Sequence, residues 1–165
     1  MTTAAKVTTY QYVNRPYDRV RATLHQKEGS LFQAATRAAT ARTDSLASTL
    51  KIAIQGFELG VDVHLEVFDV TDRKPAPPQG PGTAVRLGWK AARAASIFPQ
   101  MEATLSAWPL SADETQLELS GSYQPPLGSV GKALDTLLLH RIAEAALHRF
   151  LEDVVEQLRK DLRIM

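Results

Sequence analysis

The chain has 165 residues, of which 44% are hydrophobic and 22% charged, as expected of a single globular domain over residues 1–165. Nineteen basic and eighteen acidic residues leave a net charge of +1, which excludes a strong attraction to nucleic acids or anionic membranes. The absence of cysteine excludes disulfides, thiolate nucleophiles and cysteine-ligated metals. No signal-like start or long apolar run is present, which predicts a cytoplasmic protein without membrane insertion.

The N-terminal part predicts one strand followed by two helices. Ala4 to Val13 is rich in Val, Thr and Tyr, with alternating side chains that suit a strand with two different faces. Pro16 ends this strand and begins a short helix, because its fixed φ angle suits the first helical turn. Ser30 is a candidate N-cap for a second, Ala-rich helix that reaches about Thr43.

The central part predicts a meander of five antiparallel strands. Alternation predicts two strands near residues 50–55 and 61–67, joined by a turn near Gly60. The segment 74–82 contains four prolines and two glycines, which indicates a mobile hairpin loop. Three further strands are predicted over Ala84–Ala91, Gln100–Trp108 and Thr115–Tyr123.

One long helix is predicted from about Val130 to Arg159, because no proline interrupts this segment. A helical wheel separates an apolar stripe, predicted to face the sheet, from a polar side. The stripe comprises Leu147, Phe150, Leu151, Val154, Leu158 and Leu162. The polar side comprises Arg149, Asp153, Glu156 and Lys160.

Toward the N-terminus of this helix, the stripe changes from large apolar residues to small or polar ones. It continues through Ala143, His140, Thr136 and Ala133, which are too small or too polar to fill a core at normal density. We therefore expect a ligand pocket under residues 133–143. The alternative is that Trp89, Trp108 or Phe32 fills this space.

Two motifs resemble a known superfamily. The first is Val13-x-x-Pro16-x-x-x-Val20 at the junction of the first strand and helix. The second begins Tyr123-x-Pro125-Pro126-Leu127-Gly128-x-x-Gly131-x-x-x-Asp135 and leads into a helix that ends Arg149-Phe150-Leu151, as in bacterial members. With the order of elements, these motifs resemble the START/polyketide-cyclase/pollen-allergen (SRPBCC) superfamily.

The resemblance implies an α+β helix-grip fold, in which a curved antiparallel sheet of about six to seven strands wraps around the long C-terminal helix. Members of this superfamily enclose an apolar cavity that carries lipids, hormones or polyketides, or that catalyses aromatisation. The main functional hypothesis is therefore the binding or transport of a small hydrophobic ligand, lipid or polyketide-like, without a cofactor. The candidate ligand-binding residues are Trp89, Trp108, Tyr123, Thr136, His140 and Ala143.

Two other functions stay open. In a polyketide cyclase or dehydratase, His140 is the candidate catalytic acid or base, because imidazole titrates near neutral pH. A protein-interaction module would instead use an exposed apolar patch. Leu134, Leu138 and Ile142 form such a patch on the reverse side of the last helix. Either the first two helices cover this patch or it supports a weak homodimer.

A metal site is not expected. His140, Glu144 and His148 recur every four residues and lie on one side of the helix. No further cluster of carboxylates or histidines accompanies them, whereas zinc sites need a complete ligand set. The pattern instead favours a surface edge of ion pairs that includes Arg141 and Glu152.

Overall fold

In the computed structural model, one antiparallel sheet and a long C-terminal helix form the framework of the protein. The structure describes residues 5–27, 30–32, 63–91, 101–123 and 136–163. The strands are β1 (Ala5–Val13), β2 (Val63–Arg73), β3 (Gly82–Ala91), β4 (Met101–Pro109) and β5 (Thr115–Tyr123), and the helices are α1 (Tyr17–Gln26) and α2 (Thr136–Asp161). The predicted α+β class is confirmed. The strand predicted near residues 50–55, the turn near Gly60 and most of the helix predicted from Ser30 lie outside the described residues.

The described strands form one sheet in the order β1-β5-β4-β3-β2. β5 matches the predicted strand residue for residue and pairs along its whole length with both β1 and β4. Its alternating Leu117 and Leu119 are fully buried, which identifies the face of the sheet that packs against the helices. We call this the inner face, and the opposite one the outer face.

The core lies between the inner face and the second half of α2. The predicted stripe of α2 is confirmed, since its six residues from Leu147 to Leu162 are at most 3% exposed. Phe32 stacks on Phe150 with ring centroids 6.4 Å apart. Phe32 therefore packs against the apolar half of α2.

The buried side of α2 is wider than a single stripe. Asp153 is 5% exposed, although the helical wheel predicted it on the polar side. Val155, on the other flank of the stripe, is 2% exposed. The prediction that Asp153 lies on the polar side is wrong. The helical wheel assumed that only the apolar stripe is buried, whereas residues on both sides of the stripe are buried as well.

A β-bulge in β2 changes which residues face inward. The pairing with β3 shifts between Val67 and Asp69, so Phe68 is an extra residue in the ladder. As a result, Val70 and Asp72 share the inner face with Leu65 and Val67. A simple alternation through β2 would have placed Val70 and Asp72 on the outer face.

The Pro-rich connection between β2 and β3 ends in a tight turn. Ala76 and Gln79 exchange two backbone hydrogen bonds of 2.9 and 2.7 Å. Arg73 braces this loop by donating from Nε to the carbonyl oxygen of Gly80 at 3.3 Å. The hairpin predicted from its prolines and glycines is thus present.

A polar cluster fixes α1 to the β2–β3 hairpin. Arg21 donates two hydrogen bonds to the Asp72 carboxylate at 2.9 and 2.6 Å, and His25 Nε2 lies 3.1 Å from both carboxylate oxygens. Thr83 donates to Asp72 at 2.8 Å, and its hydroxyl lies 2.8 Å from the Tyr17 hydroxyl. The spacing of residues 17, 21 and 25 places all three on one side of α1.

This cluster makes the Asp72 carboxylate unusually acidic. The hydrogen bonds from Arg21 hold the pKa of Asp72 well below its ordinary value of 3.8, with smaller contributions from His25 and Thr83, while partial burial acts in the opposite direction. A carboxyl group whose pKa is lower in the folded than in the unfolded state stabilises the fold above its unfolded pKa. That contribution is lost as the pH falls below 3.8 toward the folded pKa.

We therefore predict that Asp72→Asn lowers the urea midpoint of unfolding at neutral pH. The difference from the parent protein should shrink as the pH falls below 3.8, because the parent carboxyl is then progressively protonated. Asp113→Asn, in the exposed β4–β5 turn, is the matched control and should leave the midpoint nearly unchanged. A difference for Asp72→Asn that stays constant across acidic pH would contradict this assignment.

The packing of α2 gives a second prediction. Phe150→Ala should lower the free energy of unfolding by about 3 to 5 kcal/mol, because it removes a buried ring stacked on Phe32 and leaves a cavity. Arg149→Ala changes the neighbouring exposed position and should have a small effect. Urea unfolding followed by circular dichroism measures both. Equal effects of the two substitutions would show that α2 is not docked in this way.

Candidate ligand-binding site

A tyrosine and a histidine meet where the end of the sheet approaches the first half of α2. Tyr123, the last residue of β5, is 1% exposed, and His140 is partly buried in the second turn of α2. The Tyr123 hydroxyl lies 3.3 Å from His140 Nδ1, with ring centroids 6.2 Å apart. This contact links two residues that the sequence analysis assigned to the same site.

The protonation of Tyr123 determines what this pair offers to a ligand. Burial raises the pKa of the Tyr123 phenol above its ordinary value of 10.0, so the hydroxyl is neutral at physiological pH. It can donate to His140 Nδ1, which places the imidazole proton on Nε2. His140 Nε2 makes no polar contact within the described part of the chain, so it can donate to a ligand oxygen.

The inner face next to this pair carries small side chains. Ala103 on β4 and Gly121 on β5 are register partners. The next inward-facing pair, farther from Tyr123, consists of the larger Leu105 and Leu119. A Cβ atom on Gly121 would lie 3.2 Å from Leu147 Cδ1 and 3.3 Å from the Ala103 Cβ atom. Leu147 therefore lies directly on the sheet, and a side chain on Gly121 would require its neighbours to shift by a few tenths of an ångström.

Apolar residues around the site are less completely covered than those of the core. Met101, the register partner of Tyr123, is partly buried. Leu65, Val67 and Val70 on the inner face of β2 are also only partly buried, although Leu87 and Val85 opposite them are fully buried. The inner face thus has a closed region under the second half of α2 and a less closed region near β2 and Tyr123.

The structure does not bring all six predicted ligand-binding residues together. Trp108 alternates with buried Ala107 and pairs with Gln116, which places it on the outer face, away from Tyr123 and His140. Trp89 pairs in register with Leu65 and Met101. Its side chain, like those of Thr136 and Ala143 in α2, lies outside the described residues.

Sequence reasoning missed Met101, Ala103 and Gly121 as neighbours of the site. Both strands that carry them, β4 and β5, were predicted. Gly121 continues the alternation of Leu117 and Leu119, which could have assigned it to the inner face. Ala and Gly carry little signal by themselves, because small residues are compatible with either face of a sheet. Their importance depends on the long-range pairing of β4 with β5.

The three residues considered for metal binding make other contacts or none. His148 Nδ1 lies 3.0 Å from the Thr9 hydroxyl, and its Nε2 lies 3.2 Å from Glu152. Glu144 is exposed, and His140 contacts Tyr123. Among the described residues, no group of three His, Cys, Asp or Glu side chains is arranged to hold a metal ion. The contact of His148 with Glu152 belongs to the predicted surface edge, and the side chain of Arg141 lies outside the described residues.

Within the described residues, neither α1 nor α2 has the length and hydropathy of a membrane-spanning helix. No protein-family model matches the chain, and no curated protein has detectable sequence similarity to it. Solved structures do match. The Zhui aromatase/cyclase from Streptomyces sp. R1128 is 14% identical, with a TM-score of 0.51 over 97% of this chain and 96% of that one. A conserved protein from Geobacillus kaustophilus is 12% identical, with a TM-score of 0.53 over 94% and 96%.

At such low identity, these matches establish the fold. Together with the antiparallel sheet, the helix after β1 and the long α2, they confirm the fold that the resemblance to the START/polyketide-cyclase/pollen-allergen superfamily implies. The protein has the fold of that superfamily. The number of described strands, five, is roughly consistent with the six to seven predicted, since residues 50–55 lie outside the described part.

Proposed function

We propose that the protein binds a small hydrophobic molecule with one or two oxygen atoms, such as a lipid or a polyketide-like compound. The ligand lies between the first half of α2 and the inner face, beside Tyr123 and His140. The observation that carries this proposal is the contrast within the inner face. Large side chains fill it under Leu147 to Leu162, whereas the small Ala103 and the partly buried Met101 lie on the inner face next to Tyr123.

The chemistry of the site suits an apolar molecule with a polar end. Covering the partly exposed Met101, Leu65 and Val67 would contribute about 25 cal/mol for each Å² of apolar surface removed from water. A carbonyl or hydroxyl oxygen of the ligand would accept a hydrogen bond from His140 Nε2. Such a site has mostly apolar walls and few polar groups, as small-molecule sites usually do.

Binding can be tested with 1-aminoanthracene, an apolar dye whose fluorescence increases in an apolar site. The parent protein should bind it saturably. Met101→Trp should weaken binding about tenfold or more, because the larger side chain enters the less closed region opposite Tyr123. Ala143→Phe, chosen from the helical wheel, should act similarly.

Thr104→Trp is the matched control, since it adds the same side chain to the outer face of the same strand. It should bind the dye like the parent, and circular dichroism should show that all variants are folded. The proposal fails if the parent binds no dye, or if Met101→Trp and Thr104→Trp bind it equally well.

A cyclase or dehydratase activity is the second candidate, and the Tyr123–His140 hydrogen bond favours it. A tyrosine that orients an imidazole is an arrangement that general acid–base catalysis can use. The Streptomyces protein of the same fold is described as an aromatase/cyclase. With a polyketide-like substrate, His140→Ala should abolish conversion and retain binding if the protein is an enzyme. If the parent protein binds the compound without converting it, and His140→Ala loses this binding, a carrier is favoured.

A further inference from the structure

The outer face of the sheet carries a groove of about 560 Å³ beneath the tip of the β2–β3 hairpin. Its walls include Arg73, Gln79 and Pro81 from the hairpin and Ser106, Trp108 and Glu118 from the sheet. The groove lies on the opposite side of the sheet from Tyr123 and His140. Its ligand would therefore be independent of the one proposed for the inner face.

By strand register, three aromatic residues are direct or diagonal neighbours of Glu118 on this face. Tyr10 is its direct register partner on β1, and Tyr12 and Trp108 are the register partners of Gln116, two residues away. Direct partners have Cβ atoms about 5 Å apart, and diagonal neighbours about 7 to 8 Å. Tyr10 and Tyr12 are 50% and 52% exposed, so their rings are open to solvent beside the carboxylate.

Glu118 is not neutralised within the described part of the chain. Its carboxylate makes no hydrogen bond or ion pair there, although its side chain is partly buried. Two cations at this face make hydrogen bonds to backbone oxygens and none to Glu118. Arg73 donates to the Gly80 carbonyl oxygen, and its guanidinium lies against Gly82. Arg159 donates to the backbone oxygen of Tyr12 at 3.3 Å.

We propose that this part of the outer face is a binding site for an organic ammonium ion. Glu118 is its counter-ion, and Tyr10, Tyr12 and Trp108 contact its methyl or methylene groups. Aromatic rings attract cations through their negative faces, and several rings around one carboxylate favour ammonium groups whose charge is only weakly hydrated. A metal ion would not suit the site, because a single carboxylate gives too few oxygen ligands.

The far end of the groove indicates what else the ligand carries. Arg73 has guanidinium nitrogens that are not used by its bond to Gly80, and the Gln79 amide has no hydrogen bond in the described part of the chain. These groups can donate to an oxygen acceptor. An ammonium compound with a hydroxyl or anionic oxygen at its other end would therefore span the groove from Glu118 to the hairpin.

Choline and 3,3-dimethylbutan-1-ol test the proposal, because they have nearly the same shape and differ in charge. Isothermal titration calorimetry should show saturable binding of choline to the parent protein and binding of the neutral alcohol that is about tenfold weaker or more. The indole ¹H–¹⁵N signal of Trp108, assigned with Trp108→Phe, should shift on addition of choline.

Glu118→Gln should weaken choline binding about tenfold or more, since it removes the charge with little change in shape. Glu102→Gln is the matched control, because Glu102 is an exposed carboxylate on the outer face without neighbouring tyrosines, and it should bind choline like the parent.

The proposal is overturned if the alcohol binds as well as choline, if Glu118→Gln and Glu102→Gln behave alike, or if the Trp108 signal does not move. Dye binding at the inner face should be unchanged in Glu118→Gln, which separates this test from that of the proposed function.

Discussion

The close contact of Leu147 with Gly121 is the constraint on which the rest of the structure depends. With no side chain on Gly121, α2 lies directly against the sheet at this point. On the C-terminal side of the contact, Phe150, Val154 and Leu158 fill the space between helix and sheet. On the N-terminal side, His140 reaches the end of β5 and meets Tyr123. One contact thus separates the part of α2 that holds the fold together from the part that can receive a ligand.

Much of the fold could be predicted from local patterns. The 3.6-residue repeat identified the buried stripe of α2, and the two-residue repeat identified β5 from Thr115 to Tyr123. The β2 bulge could not be foreseen, because it depends on pairing with β3 and not on the β2 sequence. The bulge turns Asp72 inward, and the strand predicted over residues 61–67 ends before Asp72, so its cluster with Arg21 was not predicted.

The candidate site could be predicted only in part. His140 was assigned to it from the helical wheel and Tyr123 from its position at the end of the last strand, and the two side chains are in contact. Trp108 was assigned because it is aromatic and lies on a strand, but composition does not reveal which face a strand residue occupies. Its pairing with Gln116 places it on the outer face, where it becomes part of a different arrangement around Glu118.

The two faces of the sheet consequently offer different chemistry from the same strands. On β5, Gly121 and Tyr123 belong to the inner face, whereas Glu118 belongs to the outer face. Near Tyr123, the inner face combines apolar side chains with the Tyr123–His140 hydrogen bond, which suits the body and the polar end of a hydrophobic molecule. The outer face combines rings, hydroxyls and a carboxylate, which suits a small charged molecule. Because successive residues of a strand point to opposite faces, substitutions can change one site without touching the other.

The central claim is that the less closed region of the inner face holds an apolar molecule. Native mass spectrometry of the protein, purified gently from the organism that produces it, tests this claim most directly. The account predicts a species heavier than the bare chain, whose additional mass is released by organic solvent and belongs to an apolar compound containing oxygen. A spectrum with only the bare chain, from protein that also fails to take up apolar compounds offered to it, would contradict the account.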